Sequence, residues 1–102
     1  MGGAAAKRLT KTNPYEELEN MVTTMSKMLV DYPEEVIVRT AKTESFIAFE
    51  VTCGEHDAGS LIGQRGKHAE AMRLLLMAAG AVRKIRVTVQ FLSRDQYELP
   101  SR

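Results

Sequence analysis

The spacing between apolar residues changes several times along this chain, and each change marks a predicted element. Leu18, Met21/Val22, Met25, Met28/Leu29 and Tyr32 fall three or four residues apart, which is the stripe of one buried helical face. Just ahead of them, Asn13-Pro14-Tyr15-Glu16 supplies an N-cap, a proline for the first helical position and an acid three residues after the cap. A helix is predicted to start there, with Pro33 stopping it. From Glu35 the period drops to two: Val36, Val38 and Thr40 alternate with Ile37, Arg39 and Ala41, and β-branched residues dominate, as a strand requires. Lys42 to Ser45 reads as a polar turn. Phe46 to Cys53 alternates again, with Ile47, Phe49, Val51 and Cys53 on one face and Ala48, Glu50 and Thr52 on the other.

Gly54 to Gly59 breaks this hairpin, and Ala58 to Ile62 amounts to a short helical turn. Lys67 to Ala79 is predicted as a long helix burying Ala69, Met72, Leu75/Leu76 and Ala79, with Gly80 as its C-cap. Lys84 to Phe91 then forms a last strand, with Ile85, Val87, Val89 and Phe91 inward. The order is α-β-β-α-α-β. A helical crossover between the second and third strands makes them parallel neighbours. The expected class is therefore α+β, a mixed three-stranded sheet with helices packed on one face. Arg39, Glu50, Thr52, Arg86, Thr88 and Gln90 are the expected members of its polar face.

Length adds that 102 residues make one domain, with a core large enough to need no staples. Lone Cys53 cannot form an internal disulfide, and its place among the apolar positions favours a core residue over a reactive thiol. The methionines read as core filling, with a promiscuous partner groove as the alternative. No apolar run approaches the ~20 residues of a membrane span, and Met1 to Lys11 lacks the apolar stretch of a secretory signal, so a cytoplasmic protein with no membrane partner is expected. Residues 1–12, Gly/Ala-rich and basic, read as a flexible arm, and residues 93–102 as a tail.

The formal net charge of +1 conceals a segregation. Residues 1–13 carry +3, residues 14–57 carry −7, and residues 58–92 carry +5 from Arg65, Lys67, Arg73, Arg83, Lys84 and Arg86 against Glu70. A local field of this kind can attract a polyanion while the total stays neutral, although solvated charges with no partner would give the same count.

The basic half contains Ile62-Gly63-Gln64-Arg65-Gly66-Lys67-His68, two glycines bracketing two polar residues between the short helix and the long one. Glycine lets the backbone approach a ligand closely. The N–H groups of Gly66, Lys67 and His68 are expected to lack helical partners, the helix dipole favours an anion there, and Arg65 and Lys67 add charge. Phosphate is the natural ligand. A nucleotide P-loop is a poor match, since neither its spacing nor its preceding strand is present.

A GxxG joining two helices, after a strand hairpin and before a third strand, resembles the KH domain of type II topology. Within that superfamily the chain looks most like the small bacterial single-KH RNA-binding proteins of the KhpA type. The resemblance runs from Tyr15 to about Phe91 and includes Asp31-Tyr32-Pro33-Glu34-Glu35-Val36 and Leu61-Ile62-Gly63. It implies that Gly63, Gln64, Arg65 and Gly66 lie against the backbone of single-stranded RNA and that Ile62 lines the groove floor. Lys67 joins them as a site residue. His68 follows, either touching phosphate or capping the helix, and Arg73 reads as a solvated or structural charge. The ends depart from the family, whose small members are nearly bare domains; the arm either adds phosphate contacts or is filler.

Three classes of function come into question. An RNA-binding module at residues 13–92, acting as an RNA chaperone or post-transcriptional regulator, fits the loop, with weak, salt-sensitive binding expected. An assembly adaptor, as a homodimer or with a larger KH-containing partner, is the alternative that the resemblance suggests. An enzyme is disfavoured: no acid pair stands out, and a metal site from Cys53, His56, Asp57 and His68 would need a core-facing strand residue and a helix residue to converge. No cofactor is expected.

Overall fold

The structure, a computed structural model, describes residues 13–93. The arm at residues 1–12 and the tail from Arg94 onward lie outside the described residues. Helix α1 (Pro14–Leu29) leads through a 3-10 turn (Pro33–Glu35) to β1 (Ile37–Lys42) and β2 (Phe46–Cys53). A second 3-10 turn (Glu55–Asp57) opens α2 (Ala58–Ile62), a third (Gln64–Gly66) opens α3 (Lys67–Val82), and β3 (Arg86–Ser93) closes the fold. The sheet order is β1-β2-β3, with β1 antiparallel and β3 parallel to β2. This is the α+β class and mixed sheet that the alternating pattern and the crossover predict.

The core lies between the helices and one sheet face. Leu18 and Val22 of α1 and Met72 and Leu76 of α3 pack over Ile47, Phe49, Val51 and Cys53 of β2 and Val87, Val89 and Phe91 of β3. Each fully buried aliphatic side chain contributes about 1.5–3 kcal/mol. The cap of α1 is as expected: the Asn13 Oδ1 accepts from the Tyr15 N–H at 2.8 Å, with Pro14 in the first turn. The Tyr15 hydroxyl donates to the Glu44 carbonyl, which ties α1 to the hairpin turn.

Several boundaries differ from the sequence reading. Helix α1 ends at Leu29, before Pro33, because Val30 turns extended. The N–H groups of Asp31 and Tyr32 then donate to the two carboxylate oxygens of Asp57 at 3.1 and 3.0 Å, and Pro33 opens the 3-10 turn instead of ending the helix. Met28 and Tyr32, expected in the buried stripe, are exposed, and Ser26 is fully buried together with Val22. The methionines divide: Met72 is buried, Met21 and Met25 pack partly against the core, and Met28 lies outside it.

Gly80 is not a C-cap. Helix α3 runs through it to Val82, and a Cβ there would come within 2.5 Å of both the Ile85 carbonyl oxygen and the Val87 Cγ2. Its glycine is required by the close approach of α3 to the start of β3. The chain reverses instead at Lys84, whose φ of 59° lies in the left-handed region, so β3 begins at Arg86 and not at Lys84. Leu75 is exposed while Leu76 takes the core position. Thr52, expected on the polar face, is buried because Ile37 and Leu92 flank it in register across the sheet.

Candidate nucleic-acid interface

The loop between α2 and α3 owes its shape to its residue types. Gly63 adopts φ 84°, ψ 165°, a region essentially closed to residues with a Cβ. Arg65 (φ 58°) and Gly66 (φ 73°) are left-handed. The Gly63 N–H donates to the Gly59 carbonyl at 2.8 Å and closes α2, while the Gly66 N–H returns to the Gly63 carbonyl at 2.9 Å. The Lys67 N–H donates to the Gln64 carbonyl. Two of the three N–H groups expected to be open to an anion are thus used within the loop, whose 3-10 turn supplies carbonyls that a bare helix start would lack. What the loop presents outward is its backbone ribbon and the exposed side chains of Gln64, Arg65 and Lys67.

His68 does not cap its own helix. The Nδ1 lies 2.7 Å from the Ser60 carbonyl of α2. A carbonyl oxygen can only accept, so Nδ1 carries the proton. The imidazole also packs on Gly63, where a Cβ would come within 2.6 Å of the His68 Cγ and 2.7 Å of its backbone nitrogen. His68 therefore braces the loop from behind, across both flanking helices. Gly66 differs, because a Cβ there would meet nothing within 4 Å.

Ile62 is partly buried and packs against the core at the end of α2, directly before the loop. Gly63, Gln64, Arg65, Gly66, Lys67 and His68 follow in one continuous turn, so all seven residues named from the sequence are brought together. Arg73 stands one and a half turns further along α3. Its Nη2 makes a long hydrogen bond of 3.5 Å to the Val89 carbonyl, and its guanidinium lies 6.0 Å from the Phe91 ring centroid, which bridges α3 to β3. That bridge matches the structural reading of this charge.

The sequence reading missed Asp57. Its side chain is 1% exposed, and both oxygens accept backbone N–H groups from the segment after α1. It thereby fixes the base of α2, from which the loop hangs. No local pattern signals this role, because the partners lie 25 and 26 residues away. Of the other residues weighed for a metal, Cys53 points into the core, His56 is exposed with its ring centroid 6.5 Å from that of Tyr32, and His68 is bonded to Ser60. Among the described residues no group of three or more His, Cys, Asp or Glu side chains is placed to hold a metal ion. No described helix is long and apolar enough to cross a membrane.

Comparison with known proteins gives this geometry its context. The family model of the KhpA/KhpB KH domain matches residues 19–91. The RNA-binding protein KhpA of Bacillus subtilis is 32% identical over 84 residues, covering 82% of this chain and 94% of the relative. KhpA of Listeria monocytogenes is 31% identical over 74 residues, 71% of this chain and 97% of its own length. KhpA of Caldanaerobacter subterraneus is 36% identical over 72 residues, 71% and 96% of the two chains. Among solved structures, that of Era in complex with MgGDPNP and nucleotides 1506–1542 of 16S ribosomal RNA aligns with a TM-score of 0.52 and 15% identity. The alignment covers 81% of this chain and 33% of that one, and it is a likeness of fold.

Proposed function

The chain belongs to the KhpA/KhpB family of KH domains, and from that premise we propose that residues 13–92 bind single-stranded RNA, holding about four nucleotides by the sugar-phosphate backbone against Gly63-Gln64-Arg65-Gly66. The observation that carries this reading is the braced loop: three positive-φ residues within four positions expose backbone and Arg65 at the start of a 16-residue helix. The helix dipole and the exposed Lys67 add attraction for phosphate. Ile62 supplies an apolar floor beside the loop, and His68 holds the loop in place. Binding of this kind is led by phosphate and carries modest sequence preference. That suits an RNA chaperone or post-transcriptional regulator acting on many transcripts. The relatives named above are RNA-binding proteins, which supports a binding role over catalysis.

Titration with short single-stranded RNA at several salt concentrations tests this. Contacts to two or three phosphates give a slope of log K against log salt of about −1.4 to −2.1. The control is Arg65→Gln/Gly66→Asp, since the space in front of Gly66 is open and Asp tolerates a left-handed backbone. That variant should stay folded and lose most of its RNA affinity; undiminished binding sinks the loop assignment.

A second reading, assembly, is favoured by the outer face of α3. Leu74, Leu75 and Val82 are 59%, 53% and 79% exposed, an apolar surface of the kind that marks association. We propose a homodimer through this face, which would give two RNA loops avidity for one strand. Leu75→Glu should halve the mass measured by sedimentation; an unchanged mass removes this reading.

A further inference from the structure

Among the described residues, two that are not glycine have positive φ, and both are cations at opposite ends of α3: Arg65 at 58° before it and Lys84 at 59° after it. The position of Lys84, just past a helix end, is one that glycine fills at lower conformational cost. The first of these cations belongs to the RNA loop. The second opens onto a polar hollow lined by Ser45, Phe46, Lys84 and Arg86. We propose that this corner is a second contact for the same single-stranded RNA, with phosphate on Lys84 and Arg86 and a base stacked on Phe46. The proposal rests on the loop reading for the first contact and adds one at the far end of the helix.

The corner is assembled by the sheet. Phe46 begins β2 and Arg86 begins β3, and the two residues are partners in the parallel register. The Arg86 N–H donates to the Ser45 carbonyl at 2.9 Å, which pins the hairpin turn beside the cations. Phe46 lies on the outer side of β2, opposite the core-facing Ile47, and is only partly buried. An aromatic face next to cations is the arrangement used for single strands without base readout.

Neighbouring cations are already engaged, whereas these two are not. Arg83 pairs with Glu17 at 3.0 Å and donates to the Ala79 carbonyl at 3.3 Å. Lys42 lies over the Tyr15 ring at 5.2 Å. Lys84 and Arg86 are exposed and make no salt bridge among the described residues. The 16 residues of α3 place the corner about 24 Å from the loop along the helix axis. A tetranucleotide held at the loop cannot reach it, but a longer strand can.

The test compares oligouridylates of about four and about sixteen nucleotides on the full chain, at several salt concentrations. Lys84→Gln/Arg86→Gln should leave the short RNA unaffected. It should weaken the long one by about tenfold at low salt and make its salt slope less negative by about 1.4, two phosphates at ~0.7 each. Phe46→Leu, which keeps apolar volume and removes the π-face, should weaken the long RNA by about fivefold or more. Lys84→Arg/Arg86→Lys should bind like the parent. Thermal melting checks that each variant is folded. Unchanged affinity and slope for the long RNA, or an equal loss at both lengths, overturns the corner. If Arg65→Gln/Gly66→Asp keeps full affinity for the short RNA while the corner variant loses the long one, the loop reading fails and the corner stands.

Discussion

Helix α3 is entered and left by two turns built from similar backbone conformations but serving opposite ends. At its start, Gly63, Arg65 and Gly66 turn the chain outward in a loop closed by its own backbone hydrogen bonds and braced from behind by His68. At its end, Lys84 turns the chain inward, and the Ile85 N–H donates to the Gly80 carbonyl at 2.8 Å, pressing helix and strand together. Glycine changes meaning between the two. Gly63 and Gly66 are needed for their dihedral angles, whereas Gly80 has ordinary helical geometry and is needed for the space its missing Cβ leaves. The entry turn leaves its backbone exposed and the exit turn presses helix against strand, so substitutions should separate them by their cost.

The largest effect is expected at the exit. Gly80→Val places a branched Cβ within 2.5 Å of the Ile85 carbonyl oxygen and the Val87 Cγ2, and the carbonyl cannot retreat without moving the start of β3. We expect a loss of about 3 kcal/mol, read from the urea midpoint at constant m. Gly63→Ala should come next, at about 2 kcal/mol, from a conformation that excludes a Cβ together with overlap on His68. Should Gly63→Ala prove neutral, the loop is not braced as described. His68→Ala leaves the Ser60 carbonyl unpaired by the ring and should cost about 1 kcal/mol. Faster amide exchange in residues 60–68 would identify that loss as local. Gly66→Asn should cost less than about 1 kcal/mol, because the left-handed region admits Asn and nothing crowds the position. A cost equal to that of Gly63→Ala would show that the two glycines are not different in kind. Smallest of all, Glu17→Gln removes a salt bridge whose partners are 39% and 40% exposed. About 0.5 kcal/mol or less is expected, vanishing at high salt.

The entry turn was more legible in the sequence than the exit. Ile62 to His68 could be named as a site because the signal is contiguous: two glycines, cations between and after them, and a helix-forming run beyond. The strands were legible for the same reason, since alternation at Phe46–Cys53 is a local pattern that maps directly onto one buried face. Where a residue's role depends on a distant partner, local pattern fails. Pro33 looked like the helix stop, but the segment after Leu29 is held by Asp57, far along the chain. Gly80 looked like a C-cap because glycine commonly ends helices, and only the packing of β3 reveals that it serves contact. Leu75 and Leu76 are adjacent apolar residues of equal size, and a one-dimensional stripe cannot choose which is buried. The same limit applies to the loop amides, whose partners come from a 3-10 turn that the periodicity does not mark.

The parallel pairing of β2 with β3 also sets an order of events during synthesis. Chains fold as they emerge from the ribosome, and α1 with the β1–β2 hairpin can assemble early from neighbouring residues. Strand β3 follows every other described element, yet every residue of β2 from Phe46 to Cys53 takes a partner from it, and α3 packs against it. Until Ser93 is available, the inner face of β2 lacks its neighbour and α3 lacks the surface on which Gly80 closes. The loop at Gly63 lies inside this crossover, so the helices that flank it reach their final packing only when β3 docks. The grip proposed for Gly63 to Gly66 would accordingly be complete only once β3 has docked.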